Sequence, residues 1–197
     1  MNHEPHGADE QDLLLELARQ SIIETLTHGR LPAVKGDYLP PGFADPRACF
    51  VTLTLAGALR GCMGNLEPDR PLYRAVMENA RSAATLDPRF PPLRSEEVEA
   101  LIIEISILSP PARAAARSRE ALCDQLRRER PGIILRVGSR AATYLPQVWR
   151  KLPEPADFLA SLARKAGLAA TAWQLPNAEI LTYDVEAFTE TPPPGDR

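Results

Sequence analysis

Histidine is scarce and confined to one end of this chain: there are 3, His3, His6 and His28, and none follows position 28. A Cys/His catalytic pair would have to recruit a partner from the N-terminal tail or the end of the first helix. A zinc site built from histidines is equally hard to assemble. The 3 cysteines, Cys49, Cys62 and Cys123, are odd in number and lack metal-ligand spacing. Free thiols in a reducing compartment are expected rather than a disulfide framework, and no metal or other cofactor is expected. Lysine occurs only at Lys35, Lys151 and Lys165, so arginine supplies most of the positive charge. With a formal net charge of -3 there is no reason to expect a nucleic-acid partner. No apolar run is long enough to cross a bilayer, and the polar opening Met1 to Glu10 lacks the apolar core of a signal peptide. A cytoplasmic location is therefore expected. Neither GxGxxG nor GxxxxGK[ST] occurs, which argues against a parallel nucleotide-binding sheet.

What is present is an ordinary globular composition, 44% hydrophobic and 25% charged over 197 residues, enough for one well-packed domain or two lobes. Leu13, Leu14, Leu17, Ala18, Ile22 and Leu26 recur at helical spacing, predicting a helix from Asp12 to Thr27 that Gly29 terminates. Residues 1–11 are expected to be loosely packed. Leu31 to Arg47 is rich in proline and glycine and reads as an extended connection. Cys49 to Leu55 alternates as a strand, Gly57 supplies a turn, and Ala58 to Cys62 returns as its partner. Two-residue periodicity places Arg60 and Cys62 on one face.

Pro71 suits the first turn of a helix running to about Thr85, with Asp69 as a capping acceptor. The positive end of that helix could favour an anion near the preceding loop. In the loop Asp87 to Leu93, Phe90 is expected to anchor in the core while Asp87 and Arg89 stay free. Ala100 to Leu108 is a second strand in which Glu104 and Ser106 share a face. A carboxylate in so apolar a strand needs a charged partner or solvent. Beyond it lie a helix near Ser118 to Arg128, a hairpin around Gly138, a helical segment opened by Pro146, a second helix ending near Gly167, and a last strand from Glu179 to Phe188. Trp149 and Trp173 read as core anchors, and Thr191 to Arg197 as a disordered proline-rich tail. The mixture without regular β-α-β units predicts an α+β fold, a mainly antiparallel sheet with flanking helices.

The densest chemistry lies in Leu59-Arg60-Gly61-Cys62-Met63-Gly64-Asn65. A thiol between two glycines is accessible to a ligand, and the flexible backbone can turn amides toward an anion. Cys62 and Glu104 are the candidate catalytic residues. Arg60, Gly61, Gly64, Asn65, Asp87 and Arg89 are the candidate ligand-binding residues, for a small anionic ligand or a peptide. Each has a structural alternative. Cys62 can fill space beneath a turn, Gly61 and Gly64 can be required by positive φ, and Arg60, Asp87, Arg89 and Glu104 can form an ion-pair network joining strand to loop.

Four separated segments occur in the order of a known family: Leu59-Arg60-Gly61-Cys62-Met63-Gly64, Asp87-Pro88-Arg89-Phe90-Pro91-Pro92, Ile103-Glu104-Ile105-Ser106-Ile107-Leu108-Ser109 and Thr143-Tyr144-Leu145-Pro146-Gln147-Val148-Trp149. In these the chain resembles the AMMECR family over roughly residues 12 to 188, leaving 189–197 as a tail. The family's usual motif has isoleucine where Met63 stands, a change of similar volume. The resemblance implies a compact, two-lobed α+β fold. The family's prokaryotic members take their name from a gene grouping with a Memo-type protein and a radical S-adenosylmethionine enzyme, so the resemblance implies a shared pathway with these as partners. The family's molecular function is not established. Two readings of the Cys62 region stay open: a binding or adaptor protein offering an anion- or peptide-binding groove, and a small enzyme with Cys62 as nucleophile assisted by Arg60 and Glu104.

Overall fold

The computed structural model describes residues 5–34, 39–116 and 118–191. In chain order the elements are α1 (Ala8–His28), β1 (Cys49–Leu55), β2 (Ala58–Gly64), α2 (Leu72–Thr85), β3 (Leu101–Leu108), β4 (Ala112–Arg113), α3 (Arg119–Glu129), β5 (Gly132–Val137), β6 (Arg140–Tyr144), α4 (Pro155–Lys165), β7 (Ala178–Tyr183) and β8 (Val185–Thr189). The strands form two four-stranded antiparallel sheets, ordered β2-β1-β3-β8 and β4-β7-β5-β6. The fold is α+β, as the sequence predicts. Two compact units divide the chain: residues 1–108 with 186–197, and residues 109–185. Among the described residues no helix is long and apolar enough to cross a membrane.

In the first unit the strand alternation does what it promises. Cys49, Val51 and Leu53 of β1 and Leu101, Ile103 and Ile105 of β3 are buried with Leu14, Ala18 and Ile22 of α1 and Val76, Ala80 and Ala83 of α2. Phe50, Thr52 and Thr54 take the opposite face of β1, and Glu104 and Ser106 that of β3. The helix α1 starts four residues before the predicted Asp12, because Glu10 reaches back to accept a hydrogen bond from the Gly7 amide. His6 is buried against Glu186 of β8. Packing thus extends into the segment expected to be loose. At its other end α1 stops at Gly29, in the left-handed conformation as predicted. In the proline-rich connection Phe43 is fully buried and fixes a short 3-10 turn, Pro41–Ala44.

In the second unit Trp149 stacks on Phe158 with ring centroids 3.9 Å apart, and its indole donates to the Pro131 carbonyl at 2.8 Å. Leu126, Ile133, Leu135, Leu159 and Leu162 complete that core. The predicted strand Glu179 to Phe188 is two strands in different sheets. It breaks at Asp184, whose amide binds the Ser109 hydroxyl and whose carbonyl accepts from the Ser109 amide. The chain therefore enters and leaves the second unit at one paired point. The tail is ordered further than expected: β8 continues to Thr189, and Glu190 is held by Arg19 and by the Ile103 amide. The rest of the proline-rich tail, 192–197, lies outside the described residues.

Neither Gly61 nor Gly64 has positive φ. They are needed for close approach instead. A Cβ on Gly61 would lie 2.2 Å from the Ala83 carbonyl oxygen of α2, and one on Gly64 would lie 2.3 Å from the Phe50 ring. Because a backbone atom cannot swing aside, Gly61→Ala should force α2 off the sheet and cost about 3 kcal/mol, the upper range for overpacking. Chemical denaturation tests this; an unchanged midpoint would show that the helix yields freely.

Candidate functional site

The hairpin β1–β2 turns at Ala56 and Gly57, both with positive φ. A two-residue turn pairs Leu55 with Ala58 and Thr54 with Leu59, and continuing that register would set Cys62 opposite core-facing Val51. The register shifts instead between Thr54 and Leu53, leaving Arg60 as an extra residue. Beyond this bulge Cys62 pairs with Thr52, and Thr52 pairs on its other side with Glu104. One inserted residue has moved the thiol from the core side to the outer side of the sheet. Cys62, Thr52 and Glu104 now form a row across three strands.

Thr52 donates its hydroxyl to the Cys62 sulfur at 3.3 Å. Glu104 is half-buried, and its side chain has no hydrogen bond or ion pair among the described residues. The Cys62 amide and carbonyl point away from β1, along the open edge of the sheet. Asp87 Oδ2 accepts from the Cys62 amide at 2.8 Å, and Arg89 Nη2 donates to the Cys62 carbonyl at 3.3 Å. Asp87 also takes Arg89 through Nε at 2.9 Å and Nη2 at 2.7 Å, and accepts from the Arg89 amide at 3.1 Å. The Arg89 guanidinium, with the amides of Cys62 and Arg89 behind it, holds the Asp87 carboxyl far below the usual carboxylate range against the opposing effect of burial. Arg89 is held protonated more firmly in return, chiefly by Asp87 and also by the Cys62 sulfur. Its side chain is 55% exposed, leaving it available to a ligand.

Several expected roles change. Asp87 is buried while Phe90 is only half-buried; Leu93 is the loop's apolar anchor. Arg60 is not beside the thiol in the way that strand periodicity predicts, because it sits at the bulge. Its guanidinium is filled by Glu97 and by the carbonyls of Pro91 and Pro92. The Arg60 pair draws the Glu97 carboxyl down to about 2. Arg60 thus braces strand against loop with its guanidinium already engaged. Gly61 faces α2, and Met63 packs on the core. Asn65 is likewise structural: its amide donates to the Cys49 carbonyl at 3.1 Å, and its side-chain oxygen accepts from Asn79 at 2.9 Å.

The expected helix dipole is also reversed. Ala83, near the C-terminal end of α2, is what meets Gly61, whereas the Leu72 amide at the other end is taken by the Asp45 carbonyl. Asp69 pairs with Arg70 rather than capping the helix. The other thiols are separate from the row. Cys49 is fully buried beside Asn79, and burial pushes it up to about 12. Burial raises the Cys123 thiol as well. Among the described residues no three histidine, cysteine or acidic side chains converge on a metal position.

Thr52, Glu97 and Asn79 are the participants that sequence reading missed. Thr52 could have been found only by anticipating the bulge. Glu97 and Asn79 carry no sequence signal, since each meets its partner through tertiary packing.

The family model for AMMECR1 fits residues 15–188. The chain belongs to the AMMECR1 family. A protein of Methanosarcina acetivorans is 40% identical over 188 residues, covering 92% of each chain. A protein of Methanopyrus kandleri is 38% identical over 197 residues, covering 95% of this chain and 91% of that one. The crystal structure of an uncharacterized protein from Pyrococcus horikoshii superposes with a TM-score of 0.84 at 32% identity, covering 94% of this chain and 93% of that one. Membership of the AMMECR1 family fixes the fold and leaves the chemistry to the residues.

The Asp87 cluster sets an acid limit on this family member. A carboxylate with a lowered folded-state pKa contributes stability fully present above its unfolded value of about 4 and lost as pH falls toward the folded value. Asp87→Asn should lower stability at pH 7 by about 2 kcal/mol, by leaving Arg89 and the Cys62 amide poorly paired. It should also flatten the decline below about pH 4, so that the two stability curves converge in acid. Curves that stay parallel would show that Asp87 titrates normally.

Proposed function

We propose that the first unit binds a small ligand carrying both a cationic and an anionic group, laid along the row Cys62–Thr52–Glu104. Glu104 carries this reading. A carboxylate left without a partner in mid-strand costs free energy unless solvent or a ligand satisfies it, and here it faces the same side as the thiol and hydroxyl. Two inter-strand steps separate Cys62 from Glu104, about 9–10 Å. Glu104 then holds the ligand's cationic end, and the exposed guanidinium of Arg89 its anionic end, with Thr52 between them. The closure of the sheet edge by Asp87 and Arg89 opposes strand addition by a peptide at Cys62, which favours a small ligand over an extended peptide. A pathway shared with a Memo-type and a radical S-adenosylmethionine protein is supported by the sequence resemblance alone.

A second reading keeps Cys62 as a nucleophile acting on that ligand. It is favoured by the Thr52 hydroxyl on the sulfur and the Arg89 cation nearby, surroundings found at reactive thiols. The assisting cation is then Arg89 in place of Arg60.

Thiol reagents of different charge test both readings. Cys62 labelling is followed by mass spectrometry with neutral iodoacetamide against anionic iodoacetate, and with neutral against cationic methanethiosulfonates, Cys123 serving as the internal reference. Arg89→Gln should lower the iodoacetate-to-iodoacetamide rate ratio at Cys62 about threefold or more, and Glu104→Gln should lower the cationic-to-neutral ratio similarly. Ratios unmoved in both variants would reject the two-charge ligand. Slow labelling by both neutral reagents would reject the nucleophile.

A further inference from the structure

The second unit holds a cavity of about 380 Å³ that the Cys62 row does not involve, lined among others by Arg113, Arg119, Leu122, Trp173, Leu175 and Glu179. Its size falls within the range of small-molecule sites. The apolar side is formed by Leu122, Trp173 and Leu175, of which Leu175 remains 48% exposed. On the polar side Glu179 pairs with Arg113 and, at 3.7 Å, with Arg136. One carboxylate thus answers two guanidinium groups. Arg119, in the first turn of α3, spends Nη2 on the Gln174 carbonyl at 2.7 Å and has no ion pair among the described residues. Among the described residues that line the cavity, two arginines stand against one carboxylate.

Trp173 supplies an independent sign. Of the two tryptophans, Trp149 donates its indole N–H to Pro131, whereas that of Trp173 makes no hydrogen bond among the described residues and is open to solvent. Surplus guanidinium groups beside the flat apolar surface of Trp173 and Leu122 suit one kind of occupant. We propose that this cavity binds a small organic anion with a flat apolar body, the anionic group meeting Arg119 and the body lying against Trp173 and Leu122. Its ligand differs in charge from that of the Cys62 row, and the two sites stand or fall separately.

The full chain labelled with nitrogen-15 gives one indole resonance for each tryptophan. Titration with 2-naphthoate should move the Trp173 resonance saturably while Trp149, already bonded, responds less. The neutral 2-naphthamide should bind about tenfold more weakly, and Arg119→Gln should weaken naphthoate about fivefold or more while leaving the amide unchanged. Equal affinity for acid and amide, no saturable Trp173 shift, or an Arg119→Gln variant that binds naphthoate normally would each overturn the assignment. Arg119 is exposed on the helix surface, so its replacement leaves the fold intact.

Discussion

The bulge at Arg60 is the constraint on which the candidate site depends. Sheet side chains alternate with a period of two, so one additional residue exchanges the faces of everything beyond it. With the bulge, Gly61 turns toward α2, where only a hydrogen fits against the Ala83 carbonyl, and Cys62 turns out toward Thr52. Without it, the thiol would join Val51 in the core and the α2-facing position would carry a side chain. The glycine and the cysteine in this motif therefore answer a single geometric fact.

The bulge also separates the two arginines. Arg60, at the insertion, is drawn to Glu97 and the Pro91 and Pro92 carbonyls, and is only 14% exposed. Arg89 comes from the following loop, closes the edge at Cys62 with Asp87, and keeps 55% of its side chain exposed. Edge strands leave backbone donors and acceptors open to other chains, and a carboxylate–guanidinium pair on the Cys62 backbone removes that liability there. Structural bracing and ligand access thus fall to different residues. The expected single network of Arg60, Asp87, Arg89 and Glu104 is instead two separate pairs, Arg60 with Glu97 and Asp87 with Arg89, and the Glu104 side chain has no partner among the described residues.

Both units place charged groups over apolar surface, with different results. In the first, a thiol, a hydroxyl and a carboxylate stand in a row on one sheet face, and a guanidinium from the following loop closes the edge beside the thiol. In the second, arginines outnumber the one carboxylate around a cavity walled by Trp173 and Leu122. The second unit is an excursion of the chain between β3 and β8, begun and ended at the Ser109–Asp184 hydrogen bonds. That pairing lets a long insertion leave the first sheet intact, since β8 returns to complete it.

Composition and periodicity by themselves determined the fold class, most element positions and the core: Val51, Ile103, Ile105, Phe158 and Leu162 had to be inside because their spacing leaves no other face apolar. The turn at Gly57 and the stop at Gly29 were equally legible, since each needs a backbone that glycine adopts at little cost. Tertiary structure decided the rest. The split of the final strand at Asp184 depended on a hydrogen-bond partner, Ser109, 75 residues away. The burial of Asp87, the capture of Arg60 by Glu97 and the outward turn of the half-buried Cys62 followed from which groups met across strand, loop and helix. Local sequence governs which way a side chain alternates, but a bulge and a long-range partner govern what it finally faces.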